Sequence, residues 1–287
     1  MNYFNQYPTR KAILIGCPGS GDNFLSGVDQ DLKHVSKFLQ SEKGGVWYEN
    51  EIKPLYNPSF DQVKLAIQNI IADYVLVYFS GHGYTSSKTN ARMICLKDLC
   101  IPDEYLLNNS PRQLVLIDAC RNKIGLGLSS GPDYEPEVSY FTGSPVRELF
   151  DNYIKNSPAG KLIIHGTQRG QYSYDSSSGG MFTNALLNIS ARIKAEKNYT
   201  PASISDLLVY VPQVLKIRGN DQIPSIAYKS GNLAVPFAIG VPKYNLLGVT
   251  RSVTQRQLAS ANNTSSNAGW LLFGLGLLVL GIAASSK

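Results

Sequence analysis

The chain has 287 residues, 43% hydrophobic and 17% charged, which is enough to bury a real core and too apolar for a disordered chain. Four cysteines over this length exclude a disulfide-built scaffold, and the polar start from Met1 to Arg10 carries no secretory signal, so a reducing compartment is expected. The net charge of +6 is not a nucleic-acid footprint. Lys229, Lys243, Arg251, Arg256 and Lys287 lie beyond Gln222 with no acid among them, and bases and acids nearly balance in the rest.

Lys11–Gly16 is an apolar run ending in glycine and predicts a buried strand. Val28, Leu32, Val35 and Leu39 then recur at helical spacing, and a weaker strand is expected from Glu51 to Tyr56. Ser59 and Gln62 form a capping-box pattern before a stripe of Val63, Ala66, Ile67, Ile70 and Ile71. Tyr74–Phe79, Leu114–Ile117 and Lys161–Ile164 predict three more buried strands, with one arm of a small hairpin at Ala91–Leu96. Residues 121–145 are expected as a loop rich in Gly, Ser and Pro. Helices follow at Met181–Ile193 and Ser203–Lys216, the second kinked or split by Pro212, and Ala234–Ile239 supplies a last strand. Strands this apolar, alternating with helices, predict an α/β fold with a mostly parallel sheet between helical layers.

Residues 1–9 are an N-terminal segment, 10–240 the main domain, and 241–267 a polar, basic linker. The segment 268–285 then holds the most apolar stretch, Ala268–Ala284, without a charge. As a helix that stretch would run about 25 Å, slightly short of the ~30 Å hydrocarbon core of a bilayer. Trp270 stands at its entrance, and bases precede it. A single transmembrane tail anchor, with the domain on the cytosolic side, is expected. A buried core helix is the alternative, but it would normally carry a polar face, and this stretch has none.

Open α/β sheets place their sites at the carboxyl ends of strands. Two strands here run into reactive residues, one into His82 and Gly83, the other into Asp118, Cys120 and Arg121. The 37 residues between His82 and Cys120 suffice for a crossover, so the two strands can be neighbours. A thiol needs such a base, because the thiolate is the nucleophile. His165, at the end of another strand, is the rival base. Cys17 reads as a strand-end thiol and His34 as an exposed helical residue. Cys95 and Cys100 lack the further ligands of a zinc site. The glycine-rich Gly16–Gly21 lacks the ending of a phosphate loop and reads as a turn near the site.

The segments Tyr78–Gly83 (YFSGHG) and Leu116–Arg121 (LIDACR) resemble the histidine and cysteine motifs of caspase-like cysteine peptidases, in the metacaspase and bacterial branch. Gly170–Asp175 (GQYSYD) and Gly180–Thr183 (GMFT) are similar to the family's small-subunit opening. The resemblance implies a caspase-hemoglobinase fold with a six-stranded sheet. It also implies catalytic residues Cys120 and His82, and an oxyanion hole from the Gly83 and Cys120 amides. Asp118 and Asp175 would bind a basic side chain, so protein substrates would be cut after Arg or Lys. No cofactor is certain, and calcium dependence stays open, because the family's acidic calcium cluster is not identifiable. Lys123 and Arg147 flank the loop at which relatives are cut. The alternative function is a catalytically silent caspase-like scaffold recruiting partners to a membrane. Substrate, trigger and oligomeric state are not legible.

Overall fold

The computed structural model describes residues 7–119 and 144–242. The sheet strands and helices follow in chain order: β1 (Arg10–Cys17), α1 (Val28–Gln40), β2 (Ile52–Tyr56), α2 (Phe60–Gln68), β3 (Tyr74–Gly81) and β4 (Arg112–Ala119). After them come α3 (Pro145–Asn156), β5 (Gly160–His165), α4 (Met181–Ala191), α5 (Ile204–Leu208), α6 (Val211–Ile217) and β6 (Ser225–Gly231). The six strands form one sheet in the order β6-β5-β4-β3-β1-β2. The first five are mutually parallel, and β6 runs antiparallel on the edge beside β5.

Strand alternation divides the apolar residues between two faces. Ala12, Leu14, Leu76, Tyr78, Leu114, Leu116 and Ile164 pack in one core with α1, α3 and α4. Ile13, Ile15, Val75, Val77, Phe79, Val115 and Ile117 pack in another, with Val63 and Ile67 of α2. Burial on both faces explains why these strands read as unbroken apolar runs. A three-stranded antiparallel unit (Gly83–Thr85, Arg92–Cys95, Cys100–Pro102) follows β3, and its Ile94 and Ile101 join the second core.

Three expectations need correction. The sixth strand is Ser225–Gly231, not Ala234–Ile239; within the latter span only Ala238 and Ile239 are extended, pairing with Thr200–Ala202 outside the main sheet. As an edge strand with a register shift between Ile226 and Tyr228, β6 is half exposed and has no apolar run to announce it. The capping box of Ser59 and Gln62 starts α2 as expected, yet the helix ends at Gln68 and leaves Ile71 97% exposed. The chain must straighten there, because Asp73 accepts the Thr9 N–H at 2.8 Å and its hydroxyl at 2.9 Å, aligning β3 beside β1. Helix α3 was not foreseen. Ser144 caps it, Pro145 opens it, and Val146, Leu149, Phe150 and Ile154 bury its apolar face.

Arg147 on α3 is no accessible cut site. Its guanidinium pairs bidentately with Glu51 at 2.6 and 2.7 Å, stacks on Tyr48, and lies 3.4 Å from Asp151. The fully buried Arg10 stands between the same two carboxylates and over the rings of Trp47 and Phe150. Burial lowers the Arg10 pKa to about 10, with Arg147 adding to the fall and the two acids opposing it.

Pro212 does split the 203–216 segment into α5 and α6. Cys95 and Cys100, facing each other across the small antiparallel unit, are joined by a disulfide. That pairing departs from the free thiols expected of a reducing compartment. Among the described residues no helix is long and apolar enough to cross a membrane. The expected tail helix at 268–285, most of the linker, Lys123 and the loop at 121–143 lie outside the described residues.

Candidate active site

The site grows from the alternation of β3 and β4. Tyr78 and Leu116 face the core shared with α1 and α4; two residues on, Ser80 and Asp118 fall on that same face, paired in register. The apolar rows therefore end in a hydroxyl and a carboxylate at the carboxyl edge of the sheet. A second carboxylate comes from α1, where Asp31 occupies the buried stripe beside Val28, Leu32 and Val35. A third, Asp175, comes from the segment before α4.

Buried carboxylates require hydrogen-bond donors. Asp31 accepts from the Ser80 hydroxyl at 2.6 Å and the Gly180 N–H at 2.8 Å. Asp118 accepts from the Ser173 hydroxyl at 2.7 Å, and from the Thr183 hydroxyl and N–H at 2.7 and 3.0 Å. Because Thr183 donates to Asp118, its oxygen accepts from the Tyr78 hydroxyl at 2.6 Å, which completes a relay. Gly180 is the N-cap of α4 and Thr183 lies in its first turn, so two carboxylates meet the positive end of a helix dipole. Asp175 accepts the Gly27 N–H at 3.0 Å; Gly27 lacks a Cβ because one would overlap the Asp175 carboxylate and the Ser176 carbonyl.

These bonds do not offset the loss of water. Burial pushes the Asp31 carboxyl well above the usual range, with the charges of Asp118 and Asp175 adding to it. Burial likewise raises Asp118. Asp175 is raised to about 6 by burial, with the Gly27 N–H opposing and the Asp118 charge contributing. The three carboxylates line one pocket, together with Leu25, Val28 and Tyr174. Among the described residues no lysine or arginine pairs with any of them. Such a lining has the charge to attract a cationic side chain.

His82 follows Gly81, which also lines the pocket. Its Nε2 lies 2.6 Å from the Asn23 carbonyl oxygen. A carbonyl only accepts, so Nε2 carries the proton and Nδ1 is left as the base. Gly19, at φ +77°, brings its backbone against the imidazole; a Cβ there would stand 2.7 Å from Nε2. The glycine-rich segment is thus a turn that braces His82.

The Cys95 N–H donates to the His82 carbonyl at 2.9 Å, which makes the next pair, Gly83 with Ile94, the non-bonded kind in an antiparallel ladder. The Gly83 N–H therefore points away from the facing strand.

Asp118 and Asp175 line one pocket with Asp31, which the sequence reading does not name, nor does it name Asn23, whose carbonyl meets His82. Asp31 had a signal, a carboxylate three residues after Val28 on an apolar stripe. The Asn23 contact is made by a backbone carbonyl, which no sequence pattern marks. Cys120 lies outside the described residues; Ala119, its covalent neighbour, is paired with Gly81, the neighbour of His82. The rival His165 sits on the opposite sheet face from Asp118, with Nε2 2.6 Å from the buried Asp103 carboxylate. Cys17 is buried, its thiol pushed up to about 12 chiefly by desolvation, so it is a poor nucleophile. His34 is half-buried rather than exposed. Among the described residues no group of three or more His, Cys, Asp or Glu is arranged to hold a metal ion.

The model of the caspase domain family matches residues 9–232. Caspase-1 from Spodoptera frugiperda superposes with a TM-score of 0.50 and 18% identity, over 78% of this chain and 88% of that one. A protein from Geobacter sulfurreducens gives a TM-score of 0.50 and 17% identity, over 78% and 94%. At these identities the likeness speaks for the fold alone. No curated protein matches the sequence.

Proposed function

Since the chain belongs to the caspase domain family, we propose that it is a cysteine endopeptidase of the metacaspase-like kind, cutting proteins after Arg or Lys. The observation that carries the specificity is the pocket of Asp31, Asp118 and Asp175, three carboxylates with no cation of the described chain among them. An arginine side chain there would replace lost hydration with charge-assisted bonds, and a lysine would do so with fewer. An aspartate would meet only like charge.

In the proposed reaction Nδ1 of His82 takes the thiol proton of Cys120, and the thiolate attacks the scissile carbonyl. The oxyanion is held by the amides of Gly83 and Cys120. Collapse expels the amine, which takes the proton from His82, and leaves a thioester on Cys120. A water deprotonated by the same imidazole then attacks the thioester, restoring the thiol and releasing the acid. The Asn23 carbonyl keeps the imidazole in the needed tautomer throughout.

The apolar segment 268–285 tethers the domain to a bilayer on its cytosolic side, which favours substrates near that surface. A role in regulated cell death or defence follows from the family resemblance. The test is fluorogenic cleavage by the full-length protein with Arg, Lys or Asp before the scissile bond, with and without calcium, beside Cys120→Ala. Cleavage after Arg and Lys that Cys120→Ala abolishes is the expected result. Cleavage after Asp overturns the pocket assignment, and no cleavage in either condition counts for the silent scaffold. Flotation with vesicles, retained by the full chain and lost on truncation after residue 242, tests the anchor.

A further inference from the structure

The disulfide has a place the proposed chemistry does not use. Gly83, directly after His82, starts the small antiparallel unit, and Cys95 in its middle strand donates its N–H to the His82 carbonyl at 2.9 Å. That strand is bonded covalently to the third through Cys95 and Cys100, which are directly opposed. The turn between the two cysteines is closed by the Leu96 N–H on the Leu99 carbonyl at 2.9 Å. It is docked onto the start of α2, where Asp98 accepts the Phe60 N–H at 2.9 Å and the Lys97 N–H reaches the Pro58 carbonyl at 3.1 Å.

His82 is thus held from two sides. Asn23 grips its imidazole, and the cross-linked unit grips its main chain. Both cysteines are half-buried, so a small thiol can reach them, whereas the remaining described cysteine, Cys17, is buried.

We propose that Cys95 and Cys100 form a thiol–disulfide switch that sets the position of His82. A dithiol reductant attacks one sulfur as its thiolate, giving a mixed disulfide, and its second thiol then releases the protein thiolate. The pair gains two electrons and two protons, and the reductant leaves as a cyclic disulfide. Without the cross-link the Cys95 strand loses its covalent tie at the residue that holds the His82 carbonyl. Ile94 and Ile101 stay buried, so the loosening is local rather than global. The oxidised form is the competent one.

The inference rests on His82 acting as the base, so the test has one readout that depends on peptidase activity and one that does not. The full-length protein is poised in glutathione buffers of graded potential, and kcat and KM are read on an Arg peptide. Cys95→Ser/Cys100→Ser serves as reference, since it shares the redox response of Cys120. The wild-type kcat should fall about tenfold with KM unchanged as the pair is reduced. The double variant should sit at the low level and show only the Cys120 response. Superimposable curves overturn the switch.

In Cys120→Ala protein, amide exchange over residues 84–96 is followed by mass spectrometry before and after dithiothreitol. Faster exchange on reduction supports the switch; unchanged protection overturns it. A wild type that cleaves nothing while this exchange still responds counts against the peptidase and leaves the redox-controlled hold on His82 standing.

Discussion

The imidazole Nε2 of His82 and the backbone carbonyl of Asn23, separated by 59 positions in the chain, stand 2.6 Å apart. The loop that supplies this carbonyl also supplies the Gly27 N–H to Asp175 and the pocket wall at Leu25, and it leads into Val28 of α1, which lines the pocket too. One turn therefore braces the proposed base and shapes the proposed specificity pocket. Gly19→Ala probes the first role. Its Cβ would press on the ring from 2.7 Å in a left-handed backbone conformation. We expect kcat to fall about 10- to 100-fold with KM nearly unchanged, as displacement of a catalytic group predicts. A variant with lowered melting temperature but native kcat would show that the turn does not set the base.

Asp31→Asn removes a charge; its one oxygen keeps the Gly180 N–H, and its NH2 takes the place of the oxygen that accepted from the Ser80 hydroxyl, which can turn to accept instead. Loss of one charge-assisted contact should lower kcat/KM on an Arg peptide about 10- to 100-fold and leave a peptide with a neutral residue there unchanged. The melting temperature should hold or rise, because a buried charge is gone. Equal losses on both peptides would make Asp31 a structural residue only.

The Asp175 carboxyl, raised to about 6 mainly by burial, gives a pH signature. Only the ionised form attracts a cation, so kcat/KM on Arg peptides should fall below pH 6, and Asp175→Asn should lose that limb. Stability runs the other way. The folded carboxyl keeps its proton to about pH 6 and an unfolded aspartate only to about pH 4. Its stabilising contribution is full below pH 4 and is lost as pH rises through 6. Thermal melts from pH 4 to 7 should show Asp175→Asn gaining on the wild type; a constant difference would contradict the shift.

Arg147→Ala should unfold more easily by about 1–3 kcal/mol, since Glu51 and Asp151 keep Arg10 between them but lose the second cation, and Glu51 loses its bidentate pair. Denaturant melts measure it. For the same reason an arginine-specific protease acting on the native protein should leave the bond after Arg147 intact.

Four of the five parallel strands were legible because burial on both faces makes their sequences apolar runs, while the exposed edge strand β2 gave only a weak signal, and α1 was legible because Val28, Leu32, Val35 and Leu39 keep a strict period. Strand β6 was hidden by its half-exposed edge position, where Tyr228, Lys229 and Ser230 break any apolar pattern. Helix α3 was overlooked although Ser144, Pro145 and the spacing of Val146, Leu149 and Phe150 carry its signature. Within the site, Asp118 and Asp175 were legible through motif resemblance alone. Asp31 looked like an ordinary charge on a helix until β3 and the start of α4 came to enclose it.

The pocket also has a timing. Asp31 bonds to Gly180 across 149 positions, Asp118 to Thr183 across 65, and Gly27 to Asp175 across 148. None of these contacts can close on a growing chain before the segment around residue 183 has left the ribosome and been drawn onto the sheet. Closures over such separations are entropically costly and slow. A ribosome-bound chain ending before α4 carries His82 and Cys120 but no complete acidic cradle, so on the proposed specificity nascent fragments are blind to basic residues until the fold is nearly finished.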